Sequence, residues 1–366
     1  MAYQGWGPQG PNGPQGPYGP QGWGGWQPVP PPPQPGVIPL APLGLGNIYN
    51  GAFSTMGRYA KQLFGAMAAG YAVLLAVMAG AFAVVYFVVR DDWQTLVDSP
   101  ERISWDELRP VVFALAGAWL VLMLLTVVIN SFISAVTPVV LETAVLGRRT
   151  TFGAVWRRAW SRTPSVLGVT FLSSLLIAIP VVLYFLLIIA MLVSFTTDDS
   201  FAVSAGLLAL LLLAAIPVAI WLSVSFTFAP AIAVLEKAGP MTALKRSFRL
   251  VRGTWWRTFG IMLLSALIAG FVAMMVRIPM MFLGPSPTFG YDSTTGEYRD
   301  AGELYTDFFR DLLPDLWTYM VISAVVGLVL QLLFSAFTQL VAALLYIDQR
   351  IRREGLADSL AQAAGR

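Results

Sequence analysis

The sequence predicts an all-α integral membrane protein with six transmembrane helices in three tandem span pairs and amphipathic interfacial helices on the cytoplasmic side. Three observations point there. Of 366 residues, 57% are apolar and only 12% charged, where soluble domains carry about 25% charged residues. Six apolar runs reach or approach the ~20 residues that cross a ~30 Å hydrocarbon core at ~1.5 Å per residue. Lipid offers their backbone groups no partner, so they must be helices. The connections, assigned alternately to two sides, separate by charge. One set (Arg58 and Lys61, 142–165, 236–257 and the C-terminal end) holds 17 basic and 5 acidic residues, and the other (90–110, 194–200, 276–315) holds 6 and 15. Lys and Arg favour the cytoplasm, so the first set is inside and both termini are cytoplasmic.

The chain opens on residues 1–36, which contain 11 prolines and 10 glycines, with five G-P-x triplets in "GPQGPNGPQGPYGPQ" and then "PVPPPPQP". Five triplets are few for a collagen helix, and the composition predicts a disordered cytoplasmic tail. The other reading is a docking site for a proline-reading protein partner. No signal peptide is expected, because the first apolar run begins some sixty residues in. Residues 37–358 form the membrane domain, and 359–366 a short cytoplasmic tail.

The first unit begins with an amphipathic stretch in which Leu45, Ile48, Tyr49, Ala52, Phe53 and Met56 share one face. Span one follows near 64–89. In the outer connection Ser104 and Glu107 have capping-box spacing, leading into span two near 111–141. That span closes on "TPVVLETAVLGRR", and span four closes similarly on "APAIAVLEKAGPM"; "TQLVAALLYIDQR" is a looser third copy. After each of the first two comes a basic amphipathic stretch. In 150–164, Phe152, Val155, Trp156, Ala159 and Trp160 make the apolar stripe, with Arg157, Arg158 and Arg162 mostly off it. In 241–256, Met241, Leu244, Phe248, Val251 and Trp255 do so, opposed by Lys245, Arg246, Arg249 and Arg252. Spans three and four are expected near 166–193 and 201–235. Span five, near 259–275, is interrupted by Arg277 and Pro279. Span six, near 316–347, follows a surface helix carrying Asp307, Asp311 and Asp315, read as a solvated face or, against the geometry of Pro314, a calcium site. Three units that each cross twice insert in one orientation.

Function is bounded mainly by exclusion. There is no histidine and no cysteine, so imidazole catalysis, thiolate chemistry, disulfides and Cys/His metal sites are outside the chain's means. No nucleophile, base and orienting group can be assembled from the sequence, so no enzyme activity and no cofactor are expected. Arginine outnumbers lysine 20 to 3, a bias associated with GC-rich bacterial genomes, which places the chain in a bacterial plasma membrane. The basic stretches either fix topology or recognise an anionic lipid or phosphorylated ligand through Arg157, Arg158, Arg162, Lys245, Arg246, Arg249, Arg252, Trp255 and Trp256. Nucleic acid is not expected, since no base-reading motif accompanies the charge. Glu142 and Glu236, each after Val-Leu at the end of an even span, are costly at that depth unless paired. They are read as ion pairs tying span to interfacial helix, the alternative being a proton or ion site. Asn130, Gln331 and Gln339 are the strongly polar residues within the spans, where interhelical hydrogen bonds account for them. Pro138, Pro180, Pro217 and Pro230 kink helices or, alternatively, build a transport site.

The patterns "GVIPLAPLGLGNIYNGAF", "LEKAGPMTALKRSFRLVRGTWWRTFGI" and "YIDQRIRREGL" resemble actinobacterial multi-pass proteins related to the membrane domain of glycerophosphoryl diester phosphodiesterases, over roughly residues 36–358. In that family a separate soluble barrel performs metal-dependent hydrolysis with histidines. This chain has neither barrel nor histidine, so the resemblance implies a membrane module without the catalytic part. Two functions are then expected to compete: a lipid-organising or lipid-sensing protein, and a transporter or export factor for a small amphiphile. A deep polar cavity near Asn130, Gln331 and Gln339 favours the second. Tight spans with lipid at the basic helices favour the first.

Overall fold

The structure is a computed structural model that describes residues 34–98, 105–197, 214–283 and 313–356, with residue 362. The readings of residues 1–33, of the Ser104 cap and of the side chains of Asp307, Asp311 and Asp315 fall outside the described residues. Among those described the protein is all-α with no strand. Six stretches are long and apolar enough to cross a membrane: Ala60–Phe87, Val112–Val145, Phe152–Leu186, Ala214–Leu235, Trp255–Phe282 and Thr318–Glu354. It is a multi-pass membrane protein.

In chain order the helices are α1 (Leu45–Arg58), α2 (Ala60–Asp98), α3 (Trp105–Val145), α4 (Phe152–Thr197), α5 (214–225), α6 (Ala229–Leu235), α7 (Pro240–Val251), α8 (Trp255–Leu283) and α9 (Leu313–Glu354). α3 and α4 run through Pro138 and Pro180 without ending. A long helix whose neighbours cover its backbone tolerates one lost bond per proline. α8 likewise passes Arg277 and the exposed Pro279 to Leu283, where the sequence places an end near residue 275. The fourth span does break. Phe226–Phe228 form a turn between α5 and α6, and Pro230 sits in the first turn of α6, where its missing N–H costs nothing. The Ser225 carbonyl at this break accepts a hydrogen bond from Ser247 Oγ of α7 at 2.8 Å.

Of the three interfacial stretches, α1 and α7 are separate helices, but the second is the first part of α4 and continues into span three. The reason is local. α7 is followed by Gly253 at φ +89°, which turns the chain before α8, whereas Thr163, Pro164 and Ser165 offer no glycine for such a turn, and Thr163 and Val166 are both buried against neighbours.

The buried core lies at one end of the bundle, the end that carries α1, α7 and the basic connections. There Phe132, Ile133, Val136 and Leu141 of α3, Ile232 and Val234 of α6, and Leu340, Leu344 and Tyr346 of α9 are enclosed. α3, α6 and α9, the inner ends of the three even spans, pack on one another, with α1 laid across α9 through stacked Tyr49, Phe53 and Phe337. Toward the other end contact narrows: on α2, among the side chains described beyond Tyr71, only Leu74, Met78, Ala81 and Val85 are half-buried, a single helical stripe, while Phe82 is 66% exposed. The physical cause is the solvent. Burying apolar surface drives packing where water reaches, whereas lipid tails are as apolar as the side chains they touch and supply no such drive.

Residues 34–44, which precede α1, form a strap across this packed end. Val37, Ile38, Leu40 and Leu43 are buried, and Val37 N–H donates to Ala144 O at 3.2 Å. The strap passes the turn after α3 so closely that a Cβ on Gly147, whose φ is +66°, would lie 2.3 Å from Pro35 O. A side chain there has no room.

Candidate functional site

Each even span ends in a carboxylate, and each carboxylate is held by arginine. Glu142 at the end of α3 meets Arg158 of α4 at 2.5 Å, both side chains more than a third exposed. Glu236, following α6, accepts a hydrogen bond from Tyr346 Oη. Arg246 Nε lies 2.7 Å from Glu236 Oε2, and the two pair by charge. Arg246 also donates to Glu354 at 2.9 Å, and Arg350 donates to Glu354 at 2.7 Å and to Tyr346 Oη at 3.3 Å. The ends of spans four and six are thereby stitched to α7 by alternating charges.

The third carboxylate, Asp348 of α9, is wholly buried. It accepts from Arg257 Nη1 at 2.5 Å, from Arg352 Nε at 2.8 Å and from Leu43 N–H at 2.8 Å. The same two arginines donate to Leu43 O, at 2.9 and 3.0 Å. Strap, α8 and α9 meet in this knot. Sequence reasoning missed it, although "YIDQR" places Asp348 where the looser third copy ends, and that likeness to Glu142 and Glu236 was the available signal.

Against this paired background some cations stand alone. Lys245 and Arg249 of α7 and Arg252 just after it, at i, i+4 and i+7, are exposed, and their side chains have no acidic partner among the described residues; those of Arg157 and Arg162 also have none. The face of α7 turned to protein is Ala243, Leu244, Ser247, Leu250 and Val251, while Met241 and Phe248 are 54% and 37% exposed. The apolar stripe read from the sequence is therefore rotated, and Arg246 turns inward to its carboxylates. Ala243 and Ser247 join Leu244, Leu250 and Val251 on the buried face, and α7 approaches α4 closely: a Cβ on Gly168 would lie 2.5 Å from Pro240 Cγ.

That rotation opens a groove of about 560 Å³ between α4 and α7. Leu172, Leu175, Leu176, Phe226, Met241, Leu244 and Phe248 line it, with Lys245, Arg249 and Arg252 at its edge. Trp221 packs edge-on against Phe248 at 5.6 Å and leads to a second depression that it shares with Pro217, Val218, Trp255 and Trp256. Trp255 is half-buried, stacked on Phe259 at 5.0 Å, and donates Nε1–H to Trp221 O at 3.4 Å; Trp256 is 77% exposed.

The polar residues within the spans are not brought together. Asn130 is exposed and donates to Thr126 O at 2.9 Å, Gln331 is exposed, and Gln339 lines a cavity of only about 50 Å³ with Ser134, Pro138, Thr227 and Pro230.

A family model described as a domain of unknown function, DUF7847, matches residues 52–349. No curated protein and no solved structure matches the chain.

Proposed function

The chain belongs to the DUF7847 family, and from that premise we propose that it is a non-enzymatic protein of the bacterial plasma membrane that holds an anionic phospholipid in the α4–α7 groove, organising or sensing lipid. The observation that carries this reading is the contrast in pairing. Arg158, Arg246, Arg257, Arg350 and Arg352 of the same end each meet a carboxylate, whereas Lys245, Arg249 and Arg252 share one stripe over an apolar trough. Each basic residue near an anionic leaflet contributes about 1 kcal/mol, less at high salt. A volume of about 560 Å³ lies within the ~300–1,000 Å³ of ordinary ligand pockets. Acyl chain on leucines and phosphate against arginine is the arrangement such a trough suits.

In this reading the basic end faces the cytoplasm, as the bias of Lys and Arg supports, and the proline-rich tail is presented there to a protein partner. The likeness to phosphodiesterase membrane domains fits a module that contacts lipid without cleaving it. Export of a small amphiphile is the second reading. It draws little support from the interior, where the cavity beside Gln339 has room for no more than a few waters.

The test is mass spectrometry of lipid retained through gentle purification. The wild type should hold phosphatidylglycerol, and K245Q/R249Q/R252Q should lose most of it while melting at the same temperature. Unchanged retention in the triple variant removes the reading.

A further inference from the structure

We propose a second lipid site at the far end of α8 and α9, taking the anionic headgroup of one phospholipid from the leaflet opposite the α4–α7 groove. Arg277 lies twenty residues along α8 from Arg257, about 30 Å at ~1.5 Å per residue, which is the thickness of the hydrocarbon layer. Arg257 is fixed to Asp348 at the basic end, so Arg277 stands at the other headgroup level. It is exposed and has no acidic partner among the described residues. A cation with no acidic partner among the described residues, at the membrane edge, is expensive unless it meets water or an anion.

Beside it, α8 and α9 enclose a cavity of about 270 Å³ lined by Arg277, Met280, Tyr319, Ser323, Gly327 and Leu330. The two helices run antiparallel, so Tyr319 and Ser323 lie at the level of Arg277 and Leu330 lies deeper, where it is buried. The cavity is graded, with a guanidinium and hydroxyls at the mouth and aliphatic walls below. Ser323 Oγ donates its proton to Met320 O at 3.0 Å, which leaves the guanidinium and the Tyr319 hydroxyl as the donors for a phosphate. Guanidinium binds phosphate oxygens in pairs, and a tyrosine at this depth belongs to the interfacial belt. A free phosphate would use only the mouth, whereas a phospholipid fills the aliphatic part as well. This assignment does not rest on the α4–α7 groove.

The experiment is native mass spectrometry of the full chain released from nanodiscs of phosphatidylglycerol and phosphatidylcholine. The wild type should carry two phosphatidylglycerols. R277Q should carry one, R277K, which keeps the charge but not the paired donors, an average between one and two, K245Q/R249Q/R252Q one, and the combined variant none. R277Q that keeps the wild-type count overturns the site. Loss of phosphatidylcholine together with phosphatidylglycerol in R277Q also overturns it, because the cavity and not the headgroup contact has then been removed. Inorganic phosphate that displaces the Arg277-dependent lipid at equal concentration assigns the mouth to a free anion and overturns the lipid. Loss in R277Q with an unchanged triple variant supports this site and removes the groove.

Discussion

Asp348→Asn is the substitution that asks most of the structure. The carboxylate is fully buried and receives three donors, two of them guanidinium groups whose side chains remain 33% and 39% exposed. An amide of the same shape keeps one acceptor oxygen, turns an NH₂ toward a donor, and removes the charge that holds Arg257 and Arg352. Breaking a buried ion pair costs about 3–5 kcal/mol. The arginines reach water, so the lower end, about 3 kcal/mol, applies here. Because both arginines also bond Leu43 O, the loss falls on the strap and should appear as local opening. At ~1.4 kcal/mol per tenfold, exchange of the Leu43 amide should accelerate by about 100-fold, and protease should cut between 34 and 44 in D348N but not in wild type. Arg352→Gln, which leaves the Asp348–Arg257 pair, should show a smaller change. Wild-type exchange at Leu43 in D348N would refute the claim that the knot holds the strap.

Two further outcomes follow from the same geometry. Glu142→Gln breaks a pair whose members are both more than a third exposed, so it should cost less than about 1 kcal/mol and shift the melting temperature far less than D348N; an equal shift would show that the three carboxylates are equivalent. The chain has no cysteine, so single cysteines at Ser161 and Ser200 report orientation without background. Ser161 should react with a membrane-impermeant thiol reagent only from the cytoplasmic side and Ser200 only from outside, and outside labelling at Ser161 would reverse the topology.

The six spans and the basic end were legible because hydropathy and charge bias are sums over many residues, and one misread position does not alter them. Glu142 and Glu236 could be singled out because charges at the ends of apolar runs demand partners. The buried face of α7 was legible only in part, through Leu244 and Val251. Periodicity weighs large apolar residues, so it selected Met241 and Phe248, while the close approach at Gly168 and Pro240 rewards Ala243 and Ser247. The strap escaped for another reason. "GVIPLAPLG" has no helical or strand period, and its burial is decided by Asp348, Arg257 and Arg352, roughly 200 to 300 positions away in the chain.

The one-ended core bears on how the protein meets bilayers of different thickness. Mismatch between a span and its hydrocarbon layer is relieved by tilting, at a fraction of a kcal/mol per Å. Tilting at the knotted end would pull apart enclosed side chains and three sets of ion pairs, whereas the far halves touch along narrow stripes and exchange protein contacts for lipid contacts of similar worth. A thinner or thicker membrane therefore fans or gathers the far ends about a fixed pivot and leaves the strap and its charges where they are.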